Sequence, residues 1–312
     1  MVNPRAVCVG EALAVLVAER SGPLEDAETF RVGVGGAELN VAVALASAGI
    51  STALITRVGD DGFGRLITAE AELRRVDTSA IERDPTRATG MYVKELGGTG
   101  EKGTDLGPGR SRMHYYRQGS AGSTLSVQFL EQPLVGALLA SAQVVHITGI
   151  TPALSSEAMA MSLRLAERDG RSALLSIDLN WRPALWRDRE SEGAAVLDRM
   201  IRGSDIAFMG ASESREIFGI GEPSALRSLF PEPRWLIVKN DAEVATAFDG
   251  DARTDVPALT IDVVEAIGAG DAFAAGFLAA LLDDGTPVDC LGAAHAMAAR
   301  ALASTGDSVS EP

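Results

Sequence analysis

Gly268, Ala269 and Gly270 stand immediately before Asp271, and the stretch that follows, Ala272-Phe273-Ala274-Ala275-Gly276-Phe277-Leu278, reads as an apolar helix rich in small residues. Residues without bulk let the backbone come close to a ligand. The unpaired N–H groups of a helix's first turn, with the positive end of its dipole, make an anion site there. A carboxylate at that point can take a proton from a hydroxyl brought up to the bound anion. An Asp at a helix start also fits a simple N-cap, although a cap alone does not require the bare backbone of Gly268-Ala269-Gly270. Further polar residues cluster in Gly35-Gly36-Ala37-Glu38-Leu39-Asn40, in Tyr115-Tyr116-Arg117, and in Asp178-Leu179-Asn180-Trp181-Arg182. Tyr92, Tyr115 and Tyr116 are the only tyrosines of the chain, so all of them fall in one short stretch.

The elements that must hold these residues alternate. Ala6 to Val9, Phe30 to Val34 and Thr52 to Val58 read as strands, as do Val144 to Thr148, Ala173 to Asp178, Ile206 to Met209 and Trp235 to Lys239. Helices are expected over Ala37 to Ala48, Ser155 to Arg168, Ala269 to Leu282 and Val288 to Ala303. Gly62 to Arg75 reads as an amphipathic helix with Phe63, Leu66, Ile67 and Leu73 on its apolar side. Strand–helix alternation implies parallel strands joined by right-handed crossovers. Thr89 to Leu96 and Met113 to Arg117 break the rhythm, because a glycine-rich interval and no helix lies between them. That predicts an antiparallel hairpin, which must lean on the main body as a lid.

The chain has 312 residues and a net charge of −15, from 28 Lys and Arg against 43 Asp and Glu. This length fits one large α/β domain with an appendage or two smaller domains. An acidic balance argues against nucleic acid or an anionic membrane as partner, since both select basic surfaces. No apolar run approaches the ~20 residues that cross a bilayer. Cys8 and Cys290 sit in apolar contexts without metal spacing and read as thiols of a reducing, cytoplasmic compartment. His146 in an apolar strand reads as a core residue and His114 as a lid residue. No P-loop with its Lys is present.

Gly268-Ala269-Gly270-Asp271, Gly35-Gly36-Ala37-Glu38-Leu39-Asn40 and Arg57-Val58-Gly59-Asp60-Asp61-Gly62-Phe63-Gly64 together resemble the signatures of the ribokinase, or PfkB-type, carbohydrate kinases. Tyr115 to Ser123, His146 to Leu154 and Asp178 to Arg182 look like the 2-keto-3-deoxygluconate kinases of that family. The resemblance spans nearly the whole chain. It implies a ribokinase-like α/β fold, a central mostly parallel sheet with helices on both faces. A small β-lid would come from about residues 13–31 and 88–123 of a single kinase domain, 1–312. It implies ATP-dependent phosphorylation of a sugar acid at its C6 hydroxyl, with Mg²⁺, room for a monovalent cation, and a homo-oligomer, dimer or larger. By resemblance Asp271 is the catalytic base, with Gly268, Ala269 and Gly270 as the phosphate cradle. Gly35, Gly36 and Asn40 lie at the sugar, Tyr92 and Tyr115 line its pocket, and Arg117 and Arg182 hold its acid end. Gly210, Glu213, Lys239, Asp241 and His295 fall on the nucleotide side, Glu213 helping to place Mg²⁺ through water.

An arginine fork suits a carboxylate, and a substrate of that kind approaching an acidic protein needs local positive charge. Other readings of the same residues stay open. Arg117 also fits a solvated strand edge, Arg182 a surface ion-pair set with Asp178, Arg187 and Asp188, and the tyrosines simple packing of the hairpin. The nucleotide side departs from the family pattern, with Gly210 in place of Asn or Ser, Asp241 and Val244 in place of Gly, Glu265 in place of Asp, and His295 in place of Asn. Glu11 replaces a first-strand Asp. A neutral-sugar or nucleoside kinase and a sugar-acid-binding pseudokinase are the alternatives. A dinucleotide fingerprint at Gly33-Val34-Gly35-Gly36 lacks the acidic residue such a site needs at a second strand end.

Overall fold

The computed structural model describes residues 3–167, 170–240, 243–261 and 267–303. In spatial order its main sheet runs β14 (Ala252–Pro257), β13 (Val244–Asp249), β12 (Trp235–Asn240), β11 (Ile206–Gly210), β10 (Leu174–Asp178), β9 (Val144–Thr148), β1 (Ala6–Val9), β4 (Thr52–Gly59) and β5 (Val76–Asp77). A further strand, β6 (Ile81–Asp84), also pairs with β4. All of these pairings are parallel except those of β13 and β14, an antiparallel hairpin at one edge.

β1 is apolar throughout because a parallel sheet is covered on both faces. Its pleat divides it, with Ala6 and Cys8 entering one core and Val7 and Val9 the other. The first core is closed by α1 (Ala37–Ser47), α2 (Gly62–Leu73), α9 (Ala269–Leu282) and α10 (Pro287–Leu302). The second is closed by α3 (Val127–Leu130), α4 (Pro133–Ser141), α5 (Ser156–Leu165), α6 (Glu190–Gly203), α7 (Ala211–Phe218) and α8 (Pro223–Leu229). The small residues of α9 serve this packing as well as any ligand. A Cβ on Gly276 would stand 2.5 Å from the Ala293 carbonyl oxygen, so α10 could not come as close. Among the described residues no helix is long and apolar enough to cross a membrane.

A second, four-stranded sheet has the order β3 (Phe30–Gly35), β2 (Leu13–Ala18), β7 (Met91–Leu96), β8 (Ser111–Tyr116). The expected hairpin is β7 with β8, antiparallel, and its register sets Tyr92 opposite Tyr115. Their ring centroids are 5.3 Å apart, so the tyrosine cluster is a cross-strand aromatic pair. Tyr116 points the other way and is exposed. Tyr92 is buried on Leu13 and Val15.

One expectation needs correction, and one hairpin is not foreseen. Leu73 is exposed, and the buried stripe of α2 is Gly64, Ile67 and Ala71, because the apolar arc turns away before the helix's last residue. The hairpin β13–β14 escapes a reading based on apolar runs, since β14 alternates exposed and half-buried residues at a sheet edge.

Asp61 joins the two sheets. It is the N-cap of α2, accepting the Gly64 N–H at 2.8 Å, and it also accepts the N–H and hydroxyl of Thr89, ahead of β7, at 2.8 Å each. Burial pushes its carboxyl up, but the backbone donors at Thr89 and Gly64 outweigh it and hold the group below the ordinary range. Its stabilising contribution is therefore present above about pH 4, the unfolded value, and is lost as pH falls through the lowered folded value. Replacing Asp61 with Ala removes a cap and strands a donor, an expected loss of about 1–3 kcal/mol. Urea unfolding at pH 7 should show the lower midpoint, and the difference from the parent should shrink in acid.

Candidate active site

α9 begins at Ala269, with Gly268 as N-cap in the left-handed region at φ 77°. Asp271 is thus the third residue of the helix and not its cap, which removes the plain capping explanation. Its carboxylate is buried and accepts a hydrogen bond from Asn40 Nδ2 at 2.8 Å. Burial pushes it up to about 7; Asn40 and Lys239 pull down, while Asp178 and Glu38 push further up. Asn40 comes from α1, so the residue expected at the sugar hydroxyls also orients the expected base.

Asp271 faces a cavity of about 340 Å³ that Gly36, Asn40, Tyr92, Tyr115, Arg117, Arg182 and Gly268 also line. Gly35 does not line it; it ends β3, buried behind Gly36. A second cavity of about 630 Å³ lies alongside, lined by the apolar Phe273, Leu259 and Ile261 and by His295, Gly210, Ala269 and Gly270. Glu213, Lys239 and Gly270 line both. The His295 ring is engaged by the Val256 carbonyl oxygen at 3.1 Å and stands edge-on to Phe273, so it forms a wall of that cavity. Asp241 and Glu265 lie outside the described residues.

The cations are not where a surface reading puts them. Arg182 is half exposed and pairs with Glu213 at 3.0 Å, and it makes no pair with Asp178. Asp178, at the end of β10, is buried and pairs with Lys239 at 2.7 Å. Arg117 is no solvated edge residue: its side chain is only 10% exposed, is paired with Glu11 and lies over the Tyr115 ring. Burial raises Glu213 above the ordinary carboxylate range in spite of Lys239 and Arg182. For Lys239 burial acts downward, but Asp178 and Glu213 prevail and hold it above the usual amine value.

The sequence clusters contain Glu38, Asp178 and Asn180, but sequence reasoning gave none of them a place in the site. The Glu38 carboxylate is buried and takes the Thr148 N–H at 3.0 Å and the hydroxyls of Thr148 and Thr151 at 2.8 Å each. It thereby ties α1 to the end of β9 beside the cavity. A single charge on an otherwise apolar helix was the available signal. Asn180 lines the cavity at φ 37°, a backbone that Asn tolerates better than most residues. His146 is buried against Ser176 at 2.9 Å and burial lowers it to about 4, a neutral core residue. His114 pairs with Glu95 in the lid.

The pfkB family of carbohydrate kinases matches residues 3–312. The 2-dehydro-3-deoxygluconokinase of Thermoproteus tenax is 34% identical over 308 residues, covering 98% of this chain and 90% of that protein. The enzyme of the same name from Bacillus subtilis is 30% identical over 308 residues, covering 97% and 90%. The crystal structure of a PfkB protein from Polaromonas sp. JS666 superposes with a TM-score of 0.83 at 30% identity, covering 96% of this chain and 95% of that one. The two-sheet architecture is accordingly ribokinase-like.

Any reaction in which Asp271 accepts a proton must slow as pH falls through about 7, because the protonated carboxyl has no capacity left. Asp271→Asn should lower kcat by ~10²–10⁴-fold, the usual scale for a general base. The Asn40 hydrogen bond favours the charged form, so Asn40→Ala should move the acid limb of kcat/KM to higher pH. A limb that stays in place when Asn40 is removed would contradict this account of Asp271.

Proposed function

The chain belongs to the pfkB family of carbohydrate kinases, phosphotransferases with an alcohol acceptor, and from that premise we propose that it phosphorylates 2-keto-3-deoxygluconate at the C6 hydroxyl with ATP as donor. The observation that carries this reading is one cavity with Arg117 and Arg182 on its wall and Asp271 at the helix N-terminus. An acid of six carbons can put its carboxylate on the arginines and its far hydroxyl on Asp271. The similarity to the two 2-dehydro-3-deoxygluconokinases supports the same substrate.

Phosphoryl transfer asks for alignment and charge stabilisation more than for covalent chemistry. Asp271 takes the proton of the C6 hydroxyl as that oxygen attacks the γ-phosphorus and ADP departs. A carboxyl held near 7 suits this role, being ionised for much of the time and basic enough to accept. The N–H groups of Ala269, Gly270 and Asp271, free at the first turn of α9, meet the charge that develops on the phosphoryl oxygens. Lys239, shared by the two cavities, adds a cation beside Gly270. The neighbouring cavity, lined by the apolar Phe273, Leu259 and Ile261 and by His295, Gly210, Ala269 and Gly270, fits a nucleotide base and its phosphates.

The donor chemistry also fits Mg²⁺. Among the described residues no three acidic, His or Cys side chains gather into a cage, and Glu213 offers a single carboxylate where the cavities meet. An ion that keeps its waters and relies on phosphate oxygens needs little more. Glu213 would hold it through water, and when bound it neutralises phosphate charge.

All three cations of the cavity already have carboxylate partners, which favours a second reading, a neutral sugar as substrate. A coupled assay with ATP, sugar acids, ribose and fructose separates the two. The expected result is the highest kcat/KM for 2-keto-3-deoxygluconate, with KM raised at least ~10-fold by Arg182→Ala, the scale of a lost charge-assisted hydrogen bond. Neutral sugars outrunning acids would refute it.

A further inference from the structure

Of the three ion pairs in the sugar cavity, that of Arg117 with Glu11 is the most deeply enclosed. The side chains are 10% and 2% exposed, against 52% for Arg182 in its pair with Glu213. Glu11 stands in the short passage from β1 to β2, and its Oε1 accepts from Ser120 Oγ at 3.1 Å. A Cβ on Gly122 would lie 2.6 Å from Glu11 Cγ, so the socket is closely fitted on that side, and on the other Glu11 lines the cavity. Arg117 Nε is buried without a hydrogen-bond acceptor among the described residues. The groups facing Glu11 are Arg117 and Ser120 from the segment after β8, and Glu38 from α1.

A substrate carboxylate reaching Arg117 therefore meets a second, buried carboxylate that already holds the same guanidinium. Two buried like charges on one cation are not both sustained; one of them becomes neutral. Resting on the sugar-acid reading above, we propose that Glu11 is a specificity-determining residue that acts through Arg117. The substrate's carboxylate takes over the guanidinium as Glu11 accepts one proton from the solvent. No covalent bond between heavy atoms changes; the ion pair is exchanged and a proton moves from bulk water to the Glu11 carboxylate. Burial already holds Glu11 above the ordinary carboxylate range in spite of Arg117 and Ser120, the direction this exchange requires. A neutral ligand leaves the pair intact and takes up no proton, so preference for the acid weakens as pH rises.

The test uses the full chain carrying Asp271→Asn, without ATP, which removes the titration of Asp271 and leaves Glu11, Glu38 and Glu213 as the cavity's raised carboxyls. Calorimetric binding of 2-keto-3-deoxygluconate is compared in buffers of low and high ionisation enthalpy. The expected result is close to one proton taken up per acid bound, with affinity falling about tenfold per pH unit between about pH 6.5 and 8.5. Adding Glu11→Gln should abolish the uptake and flatten the pH dependence. Binding with no uptake, or uptake unchanged by Glu11→Gln, overturns the proposal. If the Gln variant does not fold, Glu213→Gln decides: a tenfold fall per unit that survives it supports the exchange, and a flat profile or a fall lost with Glu213 overturns it. Failure of the sugar-acid reading looks different. The acid then binds neither protein while the chain with Asp271 intact turns over a neutral sugar, and the proton exchange falls with that reading.

Discussion

To serve as the proposed proton acceptor the Asp271 carboxylate has to be charged, yet it is buried, and burial alone favours its neutral form. What surrounds it answers that conflict. The helix dipole of α9 and its free N–H groups lower the cost of a negative charge at the first turn. Asn40 on α1 donates to the carboxylate, and Lys239 at the end of β12 adds a cation nearby. These contributions come from three elements that meet because a parallel sheet brings the carboxyl ends of its strands to one edge. Thr148, Asp178, Gly210 and Lys239 all lie at or near such ends, where ligand crevices of open α/β sheets form.

The same edge concentrates charge. An acidic chain of net −15 that is to admit ATP, and under the proposed function a sugar acid as well, cannot rely on its average field; it needs cations placed where the anions go. Leaving those cations buried and unpaired would be destabilising, so each one in the cavity is matched by a carboxylate. The pairs hold the empty site together, and they are the contacts an anionic ligand must rearrange. Glu213 and Lys239 border both cavities, so their pairs with Arg182 and Asp178 stand where the two meet.

How much of this was legible in the sequence depends on the range of the interaction. Gly268 to Asp271 could be read because helix start, bare backbone and carboxylate are neighbours in the chain. The strand–helix rhythm could be read for the same reason, and so could the tyrosine cluster, which a cross-strand pair in a hairpin keeps local. Glu38, Asp178 and Glu11 could not be placed, since their partners lie 110, 61 and 109 residues away for the bonds to Thr148, Lys239 and Ser120. Arg182 shows the limit well. Asp178 is four positions away along the chain, but the strand end turns it toward Lys239 and leaves Arg182 to Glu213.

The proposed roles divide between the two sheets. The residues proposed for proton transfer and phosphoryl stabilisation, Asp271, Asn40, Gly268 to Gly270 and Lys239, sit on helices and strands of the main body or at their ends, where a fraction of an ångström matters. Those proposed for substrate recognition, Tyr92, Tyr115 and Arg117, come from strands of the smaller sheet or the segment directly after β8. Two joints connect the parts: Asp61 bonded to Thr89 ahead of β7, and Glu11 bonded to Ser120 and paired with Arg117 after β8. The second joint is itself a wall of the substrate cavity. Glu11 therefore belongs both to a contact that positions the second sheet and to the proposed acid-binding end, so a change in its charge state bears on both.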